Sequence, residues 1–155
     1  MPFTEDELRA VKSAVFNSGS NPGRLYIEFF AQVMDWPVDE YAPQTIEGPE
    51  KSVEHRVLWL KGDALGFASC TVRVDETTVG AWVRPLRSIV KAEIGGRVDR
   101  DPLTPAILRF LKLHFVDGEK LVLDLSTFSN PAQRDPAEAF LESTLKALSG
   151  AREQV

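Results

Sequence analysis

The amino-acid sequence predicts an α+β fold: a bent antiparallel sheet or partly open barrel of six to seven strands, with N-terminal helices and a C-terminal capping helix. Helix-start signals lie near both ends of the chain, and short runs rich in β-branched and aromatic residues fill its middle, separated by turn residues. The 155 residues match the commonest size of one domain. We therefore predict a single domain over 1–155, with a helical segment at 1–36, antiparallel strands at 53–127 and a helix at 135–149.

The composition is that of an ordinary globular chain, with 43% hydrophobic and 26% charged residues. Cys70 is the only cysteine, which excludes an internal disulfide, and its apolar neighbours predict a small buried side chain. The N-terminus is acidic and resembles no secretory signal, and no window approaches the roughly 18 apolar residues of a membrane span. We expect a cytoplasmic protein with no membrane partner.

The net charge is −5, and the acidic excess lies entirely in the first part of the chain. Residues 1–60 contain 10 acidic and 5 basic side chains, whereas residues 61–155 contain 13 of each. Because proteins that bind nucleic acid need a basic stripe or patch, this distribution indicates that nucleic acid is not a partner.

The first helix is predicted from its N-terminal signals. Thr4 is a suitable N-cap, and Glu7 three residues later completes a capping box. Phe3 and Leu8 stand at the two positions of a hydrophobic staple.

A second helix is predicted to start with Asn21 as its N-cap and Pro22 at its first position, and to include the apolar segment 25–36. A strand at 25–30 is the alternative. Because a helix here is apolar almost all round, it needs cover on more than one face, and we expect part of that cover to come from a second copy in a homodimer. Four aromatic side chains form this part of a candidate interaction surface: Tyr26, Phe29, Phe30 and Trp36.

The middle of the chain is predicted to form an antiparallel meander. Residues 37–52 contain two prolines beyond Pro37 and several acids, which predicts an irregular surface connection. Six short runs with strand character follow, at about 55–60, 64–74, 77–83, 88–94, 106–115 and 120–126.

One hairpin can be predicted to the level of its register. Directly opposed residues on paired strands must share a face. A three-residue loop with Gly118 in the left-handed conformation pairs Leu113 with Leu121 and Leu111 with Leu123, which places all four leucines on one face.

The last helix is predicted to begin with Asp135 as N-cap and Pro136 at the first position, and to stop at Gly150. Its apolar face consists of Phe140, Leu141, Thr144, Leu145 and Leu148.

Three segments in order resemble the C-terminal half of a bacterial pleckstrin-homology-like domain: VRPLRSI at 83–89, FVDG at 115–118 and the closing helix from Asp135. The resemblance covers residues 79–148. It implies a strongly bent sheet with one open end plugged by the final helix, and a role in binding rather than catalysis. Lipid-binding members carry several basic residues on the first hairpin, but KGD at 61–63 supplies one, so the resemblance does not imply phosphoinositide binding.

Residues for catalysis or metal binding are scarce. His55 and His114 are the only histidines, and neither belongs to a recognisable motif, so both are predicted to be solvated or hydrogen-bonded surface imidazoles. No pair of Cys or His residues has the spacing of metal ligands. We predict no catalytic residue, no metal site and no cofactor.

Two further groups of residues are candidates for a binding role. Arg84, Arg87 and Lys91 form a basic stretch that could dock an acidic partner and that adds to the candidate interaction surface. A pocket between sheet and helices would instead use convergent polar groups, for which the candidates are Arg109, His114 and Asp124.

The sequence favours a noncatalytic binding or assembly module that acts through protein–protein contacts, with a protein partner or a second copy of itself. One alternative is a small-molecule binding protein or small enzyme that uses the pocket groups. The other is a dedicated regulator, such as an immunity-type protein.

Overall fold

The computed structural model describes residues 3–16, 23–99, 106–128 and 131–153. These residues form three helices and seven strands, with helices at both ends, which confirms the α+β prediction. The strands lie in two antiparallel sheets, of four and three strands, rather than in one continuous sheet. They do not form a closed barrel. The chain consists of two compact units, Met1–Arg84 and Pro85–Val155.

Helix α1 (Glu5–Val15) begins with the predicted capping box. The Thr4 hydroxyl accepts from the Glu7 amide at 3.1 Å, and the Thr4 amide donates to the Glu7 carboxylate at 3.0 Å. Two amides that have no partner within the helix are thereby satisfied. The apolar stripe of α1 is buried, with Leu8, Val11, Ala14 and Val15 in the core.

Helix α2 (Arg24–Met34) confirms the helical prediction and excludes the strand at 25–30. It begins later than predicted, with Gly23 as the N-cap; Asn21 and Pro22 lie outside the described residues. The helix ends where Asp35 adopts a left-handed conformation with φ of 54°. Lys61 Nζ lies 3.0 Å from Asp35 Oδ2 and places a positive charge at the C-terminal end of α2. A positive charge there interacts favourably with the helix dipole.

The four-stranded sheet has the order β1-β2-β3-β4. Its strands are β1 (Glu40–Glu47), β2 (Val53–Lys61), β3 (Ala64–Val72) and β4 (Thr77–Pro85). The prediction of an irregular connection at 37–52 is wrong, because β1 occupies half of it. Pro43 fits within β1 because this strand is at the edge of the sheet, where a residue without an amide proton is tolerated.

The core of the first unit lies between the two helices and one face of this sheet. Helix α1 contacts α2, β1 and β2, and α2 also contacts β3. Trp59 of β2 is 2% exposed in this core, and its indole lies over its cross-strand partner Gly66. A Cβ atom at Gly66 would lie 2.0 Å from the ring, so the close packing requires glycine.

The second unit contains a sheet of order β5-β6-β7, formed by β5 (Ile89–Asp99), β6 (Ala106–Phe115) and β7 (Lys120–Asp124). The predicted hairpin register is confirmed, because Leu113 pairs with Leu121 and Leu111 pairs with Leu123. The Phe115 amide donates to the Glu119 carbonyl at 2.9 Å, which leaves a loop of three residues, 116–118. Gly118 has φ of 90°, the left-handed conformation that favours glycine.

Helix α3 (Pro131–Glu153) has the predicted apolar face, with Phe140, Leu141 and Thr144 fully buried. Its predicted ends are wrong: Asp135 and Pro136 lie inside the helix, and the helix continues past Gly150. Pro136 lacks the amide proton for one helical hydrogen bond, and Gly150 lowers helix stability by about 1 kcal/mol relative to alanine. Burial of the apolar face outweighs both of these local signals.

Truncation of the leucines on the buried face of the second sheet should destabilise the fold. Leu113 and Leu123 are 1% and 5% exposed, so Leu113→Ala and Leu123→Ala should each lower the free energy of unfolding by about 2–5 kcal/mol. Urea denaturation measures the change. Lys112→Ala is the control, because Lys112 points to the opposite face; an equal cost there would contradict the assignment of the faces.

Gly66→Ala should destabilise the first unit by about 1–3 kcal/mol, because the added methyl group would collide with the Trp59 indole. Gly80→Ala is a matched control on β4, since nothing lies within 4 Å of a Cβ atom at that position. Thermal or urea unfolding of the two variants should therefore differ clearly. Equal stability of the two variants would show that the indole does not pack on Gly66.

Candidate interaction surface

The exposed apolar patch of the second unit consists of Ile94, Val98 and Ile107. These side chains are 55%, 63% and 64% exposed, respectively. Val98 of β5 pairs directly with Ile107 of β6. Ile94 is on the same face of β5, four residues before Val98. Exposed aliphatic side chains that are neighbours on one sheet face are typical of a surface that binds another molecule.

The same sheet face is buried at its other end. Leu111 and Leu113 alternate with outward residues on β6 and are each 1% exposed, whereas Ile107 is open to solvent. Arg109 lies between the two regions. Its guanidinium forms ion pairs with two carboxylates of α3, at 3.7 Å to Glu138 and 2.5 Å to Glu142. Val98 and Ile107 therefore lie beyond a polar row that ties β6 to α3, and Ile94 lies on the other side of that row, opposite Leu111.

Strand β5 is an edge strand of its sheet, with β6 as its one strand neighbour in the described residues. It is eleven residues long, which is longer than most edge strands. Gly95 near its centre leaves room for the ring of Phe110, whose atoms lie 2.4 Å from the position of an added Cβ. The free edge of β5 presents backbone groups that another strand could pair with.

The opposite face of β5 and β6 carries charged side chains. Lys91 Nζ lies 2.9 Å from Glu93 Oε1, and this hydrogen bond holds the pKa of Glu93 below its usual value. His114 Nε2 lies 3.3 Å from the same carboxylate, without a hydrogen-bond partner among the described residues. Arg97 is exposed further along the same face. The edge strand β5 thus carries apolar side chains on one face of the sheet and charged side chains on the other.

The predicted pocket groups do not converge. Arg109 lies on the sheet face of Leu111, while His114 and Asp124 lie on the other face, because neighbouring residues of a strand point to opposite sides. The Asp124 carboxylate accepts hydrogen bonds from the amide and the hydroxyl of Ser126, at 3.0 and 2.7 Å. Asp124 therefore acts as a cap for the turn that follows β7.

The aromatic segment predicted to be an interaction surface is part of the core instead. Phe30 is fully buried, and Tyr26, Phe29 and Trp36 are half-buried against the core of the first unit. The apolar band of α2 is covered from two sides, by α1 and by the sheet. This cover within the chain removes the reason for assigning a dimer contact to this segment.

The predicted basic stretch falls in both units. In the first unit, the Arg84 guanidinium lies over the Trp82 ring, 5.4 Å from its centroid. In the second, Arg87 is exposed and Lys91 pairs with Glu93. Arg84 and Lys91 therefore already make contacts within the chain.

The prediction of a surface imidazole at His55 is wrong, since His55 is 1% exposed. Thr45, His55 and Cys70 form a row across β1, β2 and β3, and Thr45 Oγ1 lies 3.4 Å from His55 Nδ1. The edge of the Phe16 ring packs on the imidazole. Alternation along β2 could have located His55, because it shares parity with Trp59.

Burial alters both titratable groups of this row. It lowers the pKa of His55 and raises the pKa of the Cys70 thiol to about 11. Cys70 is fully buried, as predicted. A nucleophilic cysteine needs an accessible thiolate, so this neighbouring Cys and His do not form a catalytic pair.

Two clefts lie in the first unit. One, of about 460 Å³, is lined by Pro49, Glu50, Ser52, Arg73, Val74 and Asp75, and Glu50 has a positive φ of 56°. The other, of about 280 Å³, lies between α1 and α2 and is lined mainly by charged side chains. Among the described residues, no group of three or more His, Cys, Asp or Glu could hold a metal ion. None of the described helices is both long enough and apolar enough to cross a membrane.

Comparisons with known proteins found no relationship. No protein-family model matches the chain. No curated protein and no solved structure matches it either.

Stability should depend on pH through His55. Its pKa is about 6.5 when unfolded and lower when folded, so below pH 6.5 the unfolded chain binds more protons and unfolding becomes easier. The slope should reach at most about 1.4 kcal/mol per pH unit. Urea titrations of the parent and His55→Leu should therefore diverge below pH 6.5 and run parallel above it. Parallel curves over the whole range would contradict the burial of a neutral imidazole.

Proposed function

We propose that this chain is a noncatalytic binding module that acts through protein–protein contacts, with the exposed apolar patch of Ile94, Val98 and Ile107 as its binding surface. The observation that carries the proposal is that three aliphatic side chains on one sheet face, two of them directly opposed, are each more than half exposed. Cover by a partner would remove this apolar area from water, which is the main favourable contribution to most protein association.

The surroundings of the patch support a protein partner. Val98 and Ile107 are bordered by the Arg109 ion pairs on one side and by the edge of β5 on another. An apolar centre with a polar rim is the usual arrangement of a protein interface. A free edge adds backbone hydrogen bonds, which a protein partner can supply through an extended segment.

The chemistry of the buried groups supports binding rather than catalysis. His55 and Cys70 lie inside the core of the first unit, and burial disfavours the charged forms of both. In the second unit, the Arg109 guanidinium is held by two carboxylates of α3. These contacts stabilise the fold and leave the side chains little freedom to act on a substrate.

A charge placed in the patch should abolish binding. Val98→Lys and Ile107→Lys should each lower the amount of specifically captured protein by at least about tenfold, because each removes roughly 1.5–3 kcal/mol of apolar burial. Immobilised protein is exposed to extract of the native host, and bound proteins, including the chain itself, are quantified by mass spectrometry.

Val74→Lys is the matched control, because Val74 is 86% exposed and lies in the turn after β3, away from β5 and β6 in sequence. Urea denaturation should show that all three variants keep the stability of the parent, as expected for exposed positions. An unchanged set of bound proteins with Val98→Lys and Ile107→Lys would refute the proposed binding surface.

A further inference from the structure

We infer that the partner is a second copy of this chain, and that β5 pairs antiparallel with β5 of that copy about a two-fold axis at Gly95. This inference rests on the proposed protein-binding function and specifies its partner. The two three-stranded sheets would join into one sheet of six strands. The inference follows from the free edge, the charges on one face, the apolar residues on the other face, and the packing at Gly95.

The edge of β5 is suited to pairing from Lys91 onward, beyond the register shift between Ile89 and Lys91. Its eleven residues include no proline, and β6 pairs with one side only in the described sheet. Natural edge strands are commonly protected by being short or by containing proline. Because β5 lacks both features, its outer amides and carbonyls, which pair with no strand in the described sheet, could pair with a strand of matching length.

The charged face selects the register. With Gly95 opposite Gly95 of the second copy, Glu93 lies opposite Arg97 of that copy, and symmetry repeats the pair. Both side chains lie on the same face of the sheet, and Arg97 is exposed. A register centred on Ile94 would instead place Lys91 opposite Arg97, two like charges, so opposed charges favour the axis at Gly95.

The apolar face is complementary in the same register. Ala92 lies opposite Val98 of the second copy, and Ile94 lies opposite Gly96. Each pair sets a large aliphatic side chain beside a small residue, so the side chains of the two copies can interdigitate. Ile94 and Val98, which are 55% and 63% exposed in one chain, would be partly covered.

The packing at Gly95 brings an aromatic ring to the two-fold axis. The Phe110 ring lies over Gly95 on the charged face, where an added Cβ would lie 2.4 Å from ring atoms. Directly opposed residues of paired strands are about 5 Å apart, so the rings of the two copies would meet across the axis. The contact adds apolar area between the two ion pairs.

The dimer should be of moderate affinity. Pairing of one strand edge buries less than the roughly 1,600 Å² of a standard interface, so we expect a dissociation constant in the range of about 1–100 μM. Sedimentation equilibrium over a concentration series that brackets this range should show a reversible monomer–dimer equilibrium.

Charge exchange tests the register. Arg97→Glu places two carboxylates opposite each other at both symmetric positions, and Glu93→Arg does the same with two guanidinium groups. Each variant alone should dimerise at least about tenfold more weakly than the parent. An equimolar mixture of the two should form a heterodimer near parental affinity, because each variant then supplies the charge that the other lacks. Arg87→Glu, an exposed change of the same charge outside β5, should leave the dimer intact.

Disulfide trapping provides an independent test of the register. Under mild oxidation, Ala92→Cys mixed with Val98→Cys should yield a cross-linked heterodimer, because opposed Cβ atoms lie about 4.5–5.5 Å apart. Val90→Cys mixed with Val98→Cys would be trapped instead if the axis were at Ile94. Cys70 is fully buried and should not take part.

The outcomes separate this inference from the proposed function. A parent that stays monomeric over the whole series, yet captures another protein through the patch, overturns self-pairing and leaves the binding function standing. A dimer that is unaffected by Arg97→Glu and Glu93→Arg also overturns pairing through β5. A parent that neither dimerises nor captures any protein through the patch would overturn the inference and the proposed function together.

Discussion

Alternation of side chains along paired strands decides which residues of this protein are buried and which remain at the surface. On β2, His55 and Val57 share parity with Trp59, and all three are buried on the face that packs against the two N-terminal helices. On β6, the same rule places Leu111 in a buried layer and His114 on the charged face. A shift of one residue in either ladder would exchange these sets, so the core and the exposed apolar patch depend on the same registers.

Sequence signals predicted the fold wherever a local interaction decides the structure. The capping box at Thr4 and the three-residue loop at Gly118 both involve neighbouring residues, and both are confirmed. Prediction failed where distant packing decides. Pro136 and Gly150 are local stop signals, but burial of Phe140 and its neighbours extends α3 through both. Strand β1 was missed because its acids and Pro43 resemble a loop until β2 pairs with it.

The candidate site was harder to predict because periodicity reports that residues share a face, but not what covers that face. The aromatic residues of α2 and the aliphatic residues of β5 both form apolar stripes in the sequence. The structure covers Phe30 completely and leaves Val98 63% exposed. Only the arrangement of α1, α2 and the first sheet distinguishes the two cases. The pocket groups failed for a related reason, since Arg109 and His114 differ in parity and cannot converge on one sheet.

A long free edge could pair with many extended chains, so an edge used for a specific contact also needs features that reject other partners. In β5 the rejecting features are the charges. Glu93 and Arg97 are opposed favourably in one antiparallel register, whereas a shift by one position about Ile94 brings Lys91 against Arg97. The apolar side chains on the other face do not discriminate between partners, because burial of Ile94 and Val98 by any apolar surface is favourable. Ile94 and Val98 would therefore add apolar burial to the proposed contact, and the charged face would restrict it to a second copy of the same strand.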